Sequence, residues 1–143
     1  MKVLSLLFLT FFLGKSCDTE NKQDIETAVI EYVANTRGFY QKITVQKQMY
    51  AVSKDRNNKE IGTPKKITDA QWKKMIAAFQ EVPLEELPNL KSPTEKRFYD
   101  GAAVANLKIT FKGKTYESIA FDHGNPPVEI EKLVTIIADL AKE

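Results

Sequence analysis

The sequence predicts an α+β domain in which an antiparallel sheet of about five strands carries two helices on one face, in the order β-ββ-α-ββ-α. Two observations lead to this fold class. Segments 42–51 and 108–117 align without a gap, with identical Lys, Ile, Thr and Tyr residues, and each has the composition of a β-hairpin. Each is followed by apolar residues at helical spacing. The alignment raises the possibility of a pseudo-repeat, and the alternative is chance agreement between short β-type segments.

The first strand is predicted over 27–35, where apolar residues alternate between two faces, although a helix also fits this stretch. Arg37-Gly38 predicts a turn into the next strand. The first hairpin should turn near 46–48, by alignment with the turn expected at 112–114. After that second turn a strand is expected over 115–121.

The first helix begins with a capping box. The Thr68 hydroxyl and the Gln71 amide can satisfy backbone N–H groups at the helix start. Val82-Pro83 ends the helix, because a residue before proline is pushed out of the α region. The apolar stripe of this helix consists of Trp72, Met75, Ile76 and Phe79.

The second helix is expected after Asn125, which can cap it, with Pro126-Pro127 in its first turn, where missing N–H groups cost little. Its apolar stripe consists of Ile130, Leu133, Val134, Ile137, Leu140 and Ala141.

Two connections complete the domain. Residues 54–67 form a polar loop. Residues 82–101 form a proline-punctuated connection, in which Leu84, Leu87 and Leu90 are expected to contact the core, with a short helical turn around the first two of these leucines.

The N-terminus has the pattern of a secretory signal. A single Lys2 precedes an uncharged and largely apolar run over 3–13. A membrane-spanning helix needs about 20 apolar residues, so this run is too short to remain as one. Cys17 follows it and is the only cysteine in the chain, so it has no intramolecular disulfide partner.

The residues before Cys17 resemble the lipobox of bacterial lipoproteins, with Ser16 as the small residue preceding the cysteine. Gly14 and Lys15 depart from its stricter form and match a relaxed form. The resemblance implies that residues 1–17 are a lipoprotein signal and that Cys17 carries a lipid. Simple secretion with a free cysteine is the alternative, since Gly14 and Ser16 also suit an ordinary cleavage site.

This resemblance implies an extracytoplasmic protein of the bacterial cell envelope, with the membrane as partner through the lipid on Cys17. The outer membrane is favoured, on its periplasmic side or at the surface. Residues 18–26 are polar and are expected to form a flexible tether. Residues 27–143 are expected to form one α+β domain.

The charge of the chain argues against nucleic acid as a partner. Of its 21 basic residues, two lie in 1–17, and none of its 19 acidic residues does, so the remainder carries 19 of each. A nucleic-acid-binding protein needs a basic face to displace counterions. The sequence has no Gly-rich phosphate loop, G-x-S-x-G elbow or H-E-x-x-H motif, and it predicts neither a cofactor nor a metal.

Asp122 and His123 form the most distinctive candidate site. His123 is the only histidine and can act as an acid, a base or a metal ligand, with Asp122 or Asp100 as its partner. The structural alternative is a turn at Gly124 and Asn125 that leads into the second helix. We favour the turn, because one His and one Asp without further ligands are a weak signal.

Residues 97–101 form a second candidate site. Arg97, Tyr99 and Asp100 offer a cation, an aromatic ring and a carboxylate, which suit a carboxylate or a sugar. In the structural alternative, which we favour, Arg97 pairs with an acid, Phe98 or Tyr99 fills the core, and Asp100 belongs to a turn.

Three functional hypotheses follow, of which the third is a purely structural lipoprotein. The first is a non-catalytic envelope lipoprotein that binds a protein, a peptide or another envelope component through its open sheet face or an exposed strand edge. The second is a small hydrolase or metal-dependent enzyme that uses Asp100, Asp122 and His123. The enzyme requires that these three side chains converge in a cleft.

Overall fold

The computed structural model describes residues 25–57, 59 and 62–143. The predicted signal, Cys17 and most of the predicted tether lie outside the described residues. Ile25, placed in the tether by the sequence, is only 1% exposed and belongs to the core cluster of the domain.

The described chain forms an antiparallel sheet with helical residues at 25–27, two longer α-helices and short 3-10 segments. The strands are β1 (Val29–Thr36), β2 (Phe39–Gln46), β3 (Met49–Ser53), β4 (Lys65–Lys66), β5 (Val104–Phe111), β6 (Lys114–Glu117) and β7 (Phe121–Asp122). The helices are α1 (Asp69–Gln80) and α2 (Glu131–Leu140), and the 3-10 segments are Leu84–Asn89, Lys96–Tyr99 and Val128–Ile130.

β1 lies in the middle of the sheet, whose order is β4-β3-β2-β1-β5-β6, with β7 pairing with β5. All described pairings are antiparallel. The predicted α+β class is confirmed, but the strand count of about five was wrong. β4 was missed because it is only two residues long, within the stretch predicted as a polar loop.

The other additional strand arises because the strand predicted over 115–121 is interrupted. Between β6 and β7, the Ser118 backbone N–H donates to the Leu107 carbonyl at 2.8 Å. The Ser118 hydroxyl accepts from the Leu107 N–H at 2.9 Å, so a side chain replaces a backbone partner in the ladder. After this break the chain passes the 3-10 segment Leu84–Asn89, where the Ile119 N–H donates to the Leu87 carbonyl at 3.3 Å.

The helices pack over the buried sheet face, onto which β1 directs Ile30 and Tyr32. α2 contacts β1, β2 and α1. α1 reaches the same face through Phe79, whose ring meets that of Phe111 edge-on at 5.8 Å between centroids. Neither α-helix of the described chain is long and apolar enough to cross a membrane.

The first helix begins as predicted. The Thr68 hydroxyl accepts from the Gln71 N–H at 3.2 Å, and the Gln71 side chain accepts from the Thr68 N–H, which completes the capping box. Trp72, Met75 and Phe79 of the predicted stripe are buried.

Both predicted hairpins are present, but they differ in register. The first turns at Lys47-Gln48 and the second at Lys112-Gly113, so the turns are offset by one residue relative to the ungapped alignment. In consequence Tyr50 pairs with Val45, whereas Tyr116 pairs with Ile109, which is not the equivalent position.

Candidate functional site

Asp122 is the centre of the candidate site. Its side chain is fully buried at the end of β7 and accepts hydrogen bonds from the connection that follows α1. The donors are the Thr94 hydroxyl at 2.5 Å, the Lys96 N–H at 2.7 Å, the Arg97 N–H at 3.0 Å and the Arg97 guanidinium at 3.2 Å. Asp122 therefore fixes the start of the 3-10 segment Lys96–Tyr99 to the sheet.

These hydrogen bonds determine the ionisation of Asp122. Burial acts to raise the pKa of its carboxyl, because it penalises the charged form. The bonds from Thr94, from the Arg97 and Lys96 backbone and from the Arg97 guanidinium outweigh burial and lower the pKa to about 2. The carboxylate is charged at neutral pH, and its acceptor capacity is used within the fold.

Arg97 is engaged in the same cluster. Besides Asp122, its Nη1 donates to the Thr94 carbonyl at 2.9 Å and to the Ser92 hydroxyl at 3.2 Å, and the side chain is only 11% exposed. The prediction that Arg97 pairs with an acid is confirmed. Nη1 is thus occupied by internal acceptors, and little of the side chain is exposed to an external carboxylate.

Phe98 and Tyr99 are both 72% exposed, so the prediction that one of them fills the core was wrong. A 3-10 segment has three residues per turn, and the bonds to Asp122 turn the Arg97 side chain inward. The two residues that follow are thereby directed outward. The connection contacts the core instead through Leu87 and Leu90.

Asp100 closes the 3-10 segment in the left-handed conformation, at φ 59°. Its backbone N–H and that of Gly101 both donate to the Lys96 carbonyl. This is a helix-ending geometry in which glycine is common at the left-handed position. The Asp100 side chain is exposed, in agreement with the predicted turn.

The His123 side chain contacts Tyr32 on the buried face of the sheet and does not join a group of catalytic residues. Its Nδ1 lies 2.8 Å from the Tyr32 hydroxyl, and its ring is 5.7 Å from that of Phe39. Burial raises the pKa of the Tyr32 hydroxyl, so it stays protonated at neutral pH and can donate to Nδ1 when that nitrogen carries no proton. Burial and the positive charge of Lys142 lower the pKa of His123, which favours the neutral imidazole.

The predicted turn after β7 is present, without the predicted cap. The Asn125 N–H donates to the Asp122 carbonyl at 2.9 Å, and Gly124 has φ 92°. Asn125 does not cap α2, because α2 begins six residues later and follows the 3-10 segment Val128–Ile130. The prolines therefore precede a 3-10 segment, which delays the start of the helix.

The three residues of the enzyme hypothesis occupy different environments. Asp122 accepts hydrogen bonds from the connection over residues 82–101, His123 is hydrogen-bonded to Tyr32, and Asp100 faces solvent. Within the described ranges no cluster of three or more His, Cys, Asp or Glu side chains is suited to a metal ion.

Four of the large exposed apolar side chains lie at one end of the sheet, which we call the aromatic end: Phe39, Phe98, Tyr99 and Val104. Phe39 begins β2 directly after the β1–β2 turn, and Val104 begins β5 beside the last part of β1. Phe98 and Tyr99, the aromatic pair, belong to the 3-10 segment that is hydrogen-bonded to Asp122. Asp122 pairs with Val104 in the sheet. Exposed apolar residues grouped in this way are typical of interaction surfaces.

Sequence reasoning named Arg97, Tyr99, Asp100, Asp122 and His123 but missed Thr94 and Tyr32. A threonine in a polar loop and a tyrosine in a strand carry no distinctive signal. No family model matches the chain, and no curated protein is significantly similar to it.

Proposed function

We propose that this protein is a lipid-anchored, extracytoplasmic, non-catalytic binding module of the bacterial envelope that contacts its partner through the aromatic end. The observation that carries the proposal is the exposure of Phe98 and Tyr99 on a segment anchored by the buried carboxylate of Asp122. Large side chains that are both exposed and held in place lose little conformational entropy when they bind.

The anchoring part of the proposal is supported by the sequence pattern that ends at Cys17. The short apolar run and the single cysteine fit export followed by lipidation. The lipid holds the domain at the membrane, and the formal neutrality of residues 18–143 leaves little electrostatic attraction to a bilayer.

The chemistry of the site supports binding over hydrolysis. A general acid or base must present its proton-transferring atom to a substrate. The Asp122 carboxylate is inaccessible and occupied by four donors. His123 is hydrogen-bonded to Tyr32 and to neither Asp122 nor Asp100, the partners that the enzyme hypothesis requires.

The anchor is tested by growing the producing bacterium with radioactive fatty acid. We expect the chain to be labelled and the Cys17→Ala variant to lose the label. Uptake of label by the variant would refute the anchor.

The contact surface is tested by photo-crosslinking in the living cell. A photoreactive residue in place of Tyr99 should give discrete adducts, whereas the same residue in place of Met49, an exposed side chain in the β2–β3 hairpin, should not. Equal adducts from both positions, or none from either, would contradict the assignment of the aromatic end.

A further inference from the structure

Each of the two exposed rings has a neighbour on the anchored segment. The guanidinium carbon of Arg97 lies 4.3 Å from the centre of the Phe98 ring, and Arg97 is itself held by Asp122. The Tyr99 ring edge lies beside Gly101, where a Cβ would be 3.0 Å from Tyr99 Cε2. Phe98 thus has one face against a fixed cation, and both rings remain largely open to solvent.

The Asp100 carboxylate is directly adjacent to these rings in the chain. Within the part of the chain that the structure describes, it has no hydrogen bond or ion pair. Asp100 holds a left-handed conformation that glycine adopts at lower cost. Its carboxylate therefore has acceptor capacity that the fold does not use.

These features separate the two ligand classes that the sequence suggested for this segment, a carboxylate and a sugar. Arg97, the cation suited to a carboxylate, is 11% exposed and bound to Asp122. The charge of Asp100 opposes the approach of another anion, whereas the exposed Lys96 of the same segment attracts one. The preference for a sugar therefore rests on the two exposed rings and on the unused acceptor atoms of Asp100.

A sugar fits the same features. The C–H groups on one face of a pyranose ring carry partial positive charge and meet the negative face of an aromatic ring favourably. Sugar hydroxyls donate to carboxylates in charge-assisted hydrogen bonds. We propose that Phe98, Tyr99 and Asp100 form a glycan-binding site, in which the rings stack on pyranose faces and Asp100 accepts from the hydroxyls.

The glycan site rests on the proposed binding module, because it names the ligand class of the aromatic end. The aromatic pair lies at the end of β1 where Asn35 is opposite Val104, about 20 Å from Val29. The eight residues that join Cys17 to Ile25 can span more than this distance, so the vesicle experiment below is needed to distinguish bilayer lipid from a glycan.

The test uses the detergent-solubilised full chain and three soluble oligosaccharides: cellotetraose, chitotetraose and maltotetraose. Saturation-transfer NMR should detect binding of at least one of them. Phe98→Ala and Tyr99→Ala should each weaken that binding about tenfold, because each removes one stacking surface. Both side chains are exposed, so the variants should keep the parent melting temperature.

Asp100→Gly separates binding from folding. Glycine relieves the left-handed backbone, so the melting temperature should stay the same or rise, while oligosaccharide binding weakens several-fold. Met49→Ala is the matched control, since it removes an exposed apolar side chain at the other end of the sheet and should leave binding unchanged.

Two outcomes would overturn the glycan site. The first is binding of none of the three oligosaccharides, and the second is binding that is insensitive to Phe98→Ala and Tyr99→Ala. If no oligosaccharide binds, Phe98-dependent binding of the Cys17→Ser chain to vesicles of phosphatidylethanolamine and phosphatidylglycerol would identify lipid as the ligand. Crosslinks from position 99 to a protein, with no oligosaccharide bound, would reject the glycan but retain the proposed binding module.

Discussion

The Arg97 guanidinium and the Asp122 carboxylate form an ion pair at 3.2 Å in which the carboxylate is fully buried. A buried charge is tolerated when hydrogen bonds compensate for the lost hydration, and Asp122 has further bonds from Thr94 and from two backbone N–H groups. The pair thus joins the exposed aromatic segment to the sheet.

Asp122→Asn should lower the free energy of unfolding at pH 7 by about 3 kcal/mol, because the amide loses the charge and leaves buried donors poorly paired. Urea unfolding measures this change. Asp100→Asn is the control, with an expected change below about 0.5 kcal/mol because Asp100 is exposed. A loss below about 1 kcal/mol for Asp122→Asn would show that the buried carboxylate is not the anchor.

Asp122 should also confer acid sensitivity. Its folded pKa of about 2 lies below the ordinary value of 3.8, so its contribution to stability is fully present above pH 3.8 and is lost as the pH falls towards 2. The stability of the parent should therefore fall more steeply than that of Asp122→Asn over this interval. Parallel pH profiles in urea unfolding would contradict the lowered pKa.

His123 should confer a second pH dependence, near neutrality. Its folded pKa lies below the ordinary 6.5, so the unfolded chain takes up the proton first as the pH falls. The contribution is present above pH 6.5 and is lost as the pH falls below it. His123→Gln should flatten the profile of melting temperature between pH 5 and 8. An unchanged slope in that variant would assign the dependence to other groups.

The hydroxyl of Ser118 should contribute to the stability of the folded chain. The side chain is 7% exposed, and its Oγ accepts from the Leu107 N–H. Ser118→Ala leaves a buried donor unpaired and should cost about 1–3 kcal/mol in urea unfolding, with faster amide exchange at Leu107. Thr115→Ala, which removes an exposed hydroxyl bonded to Thr110, should cost less than about 0.5 kcal/mol. Equal costs would mean that the break between β6 and β7 does not depend on Ser118.

The features that the sequence predicted well depend on neighbouring residues. The capping box joins Thr68 to Gln71 three residues away, and the stripe of α1 repeats within a few turns. Turn positions were correct to within one residue. The ungapped alignment of the two hairpins did not carry over to their pairing, because a one-residue offset in a turn changes which residues pair across the strands.

The features that the sequence did not predict depend on distant residues. The donors to Asp122 precede it by 25 to 28 residues, and Tyr32 lies 91 residues before His123. Phe98 and Tyr99 are apolar enough to be assigned to the core, and only the inward orientation of Arg97 directs them to solvent. Site residues were therefore named by type, while their roles required the fold.

The β2–β3 turn offers a test of backbone strain against side-chain bonding. Lys47 and Gln48 both have positive φ, at 52° and 60°, in a two-residue hairpin turn that favours Asn-Gly. The Gln48 side chain donates to the Ile67 carbonyl at 2.9 Å and to Asp69 Oδ1 at 2.7 Å, so it joins the turn to the start of α1. Lys47 is exposed.

Lys47→Asn should therefore raise the free energy of unfolding by about 0.5–1 kcal/mol, because asparagine tolerates the left-handed conformation. Gln48→Gly relieves similar strain but removes two hydrogen bonds of comparable value, so it should give no net gain. Urea unfolding of both variants measures the difference. A larger gain from Gln48→Gly than from Lys47→Asn would show that the Gln48 bonds to Ile67 and Asp69 contribute nothing to stability.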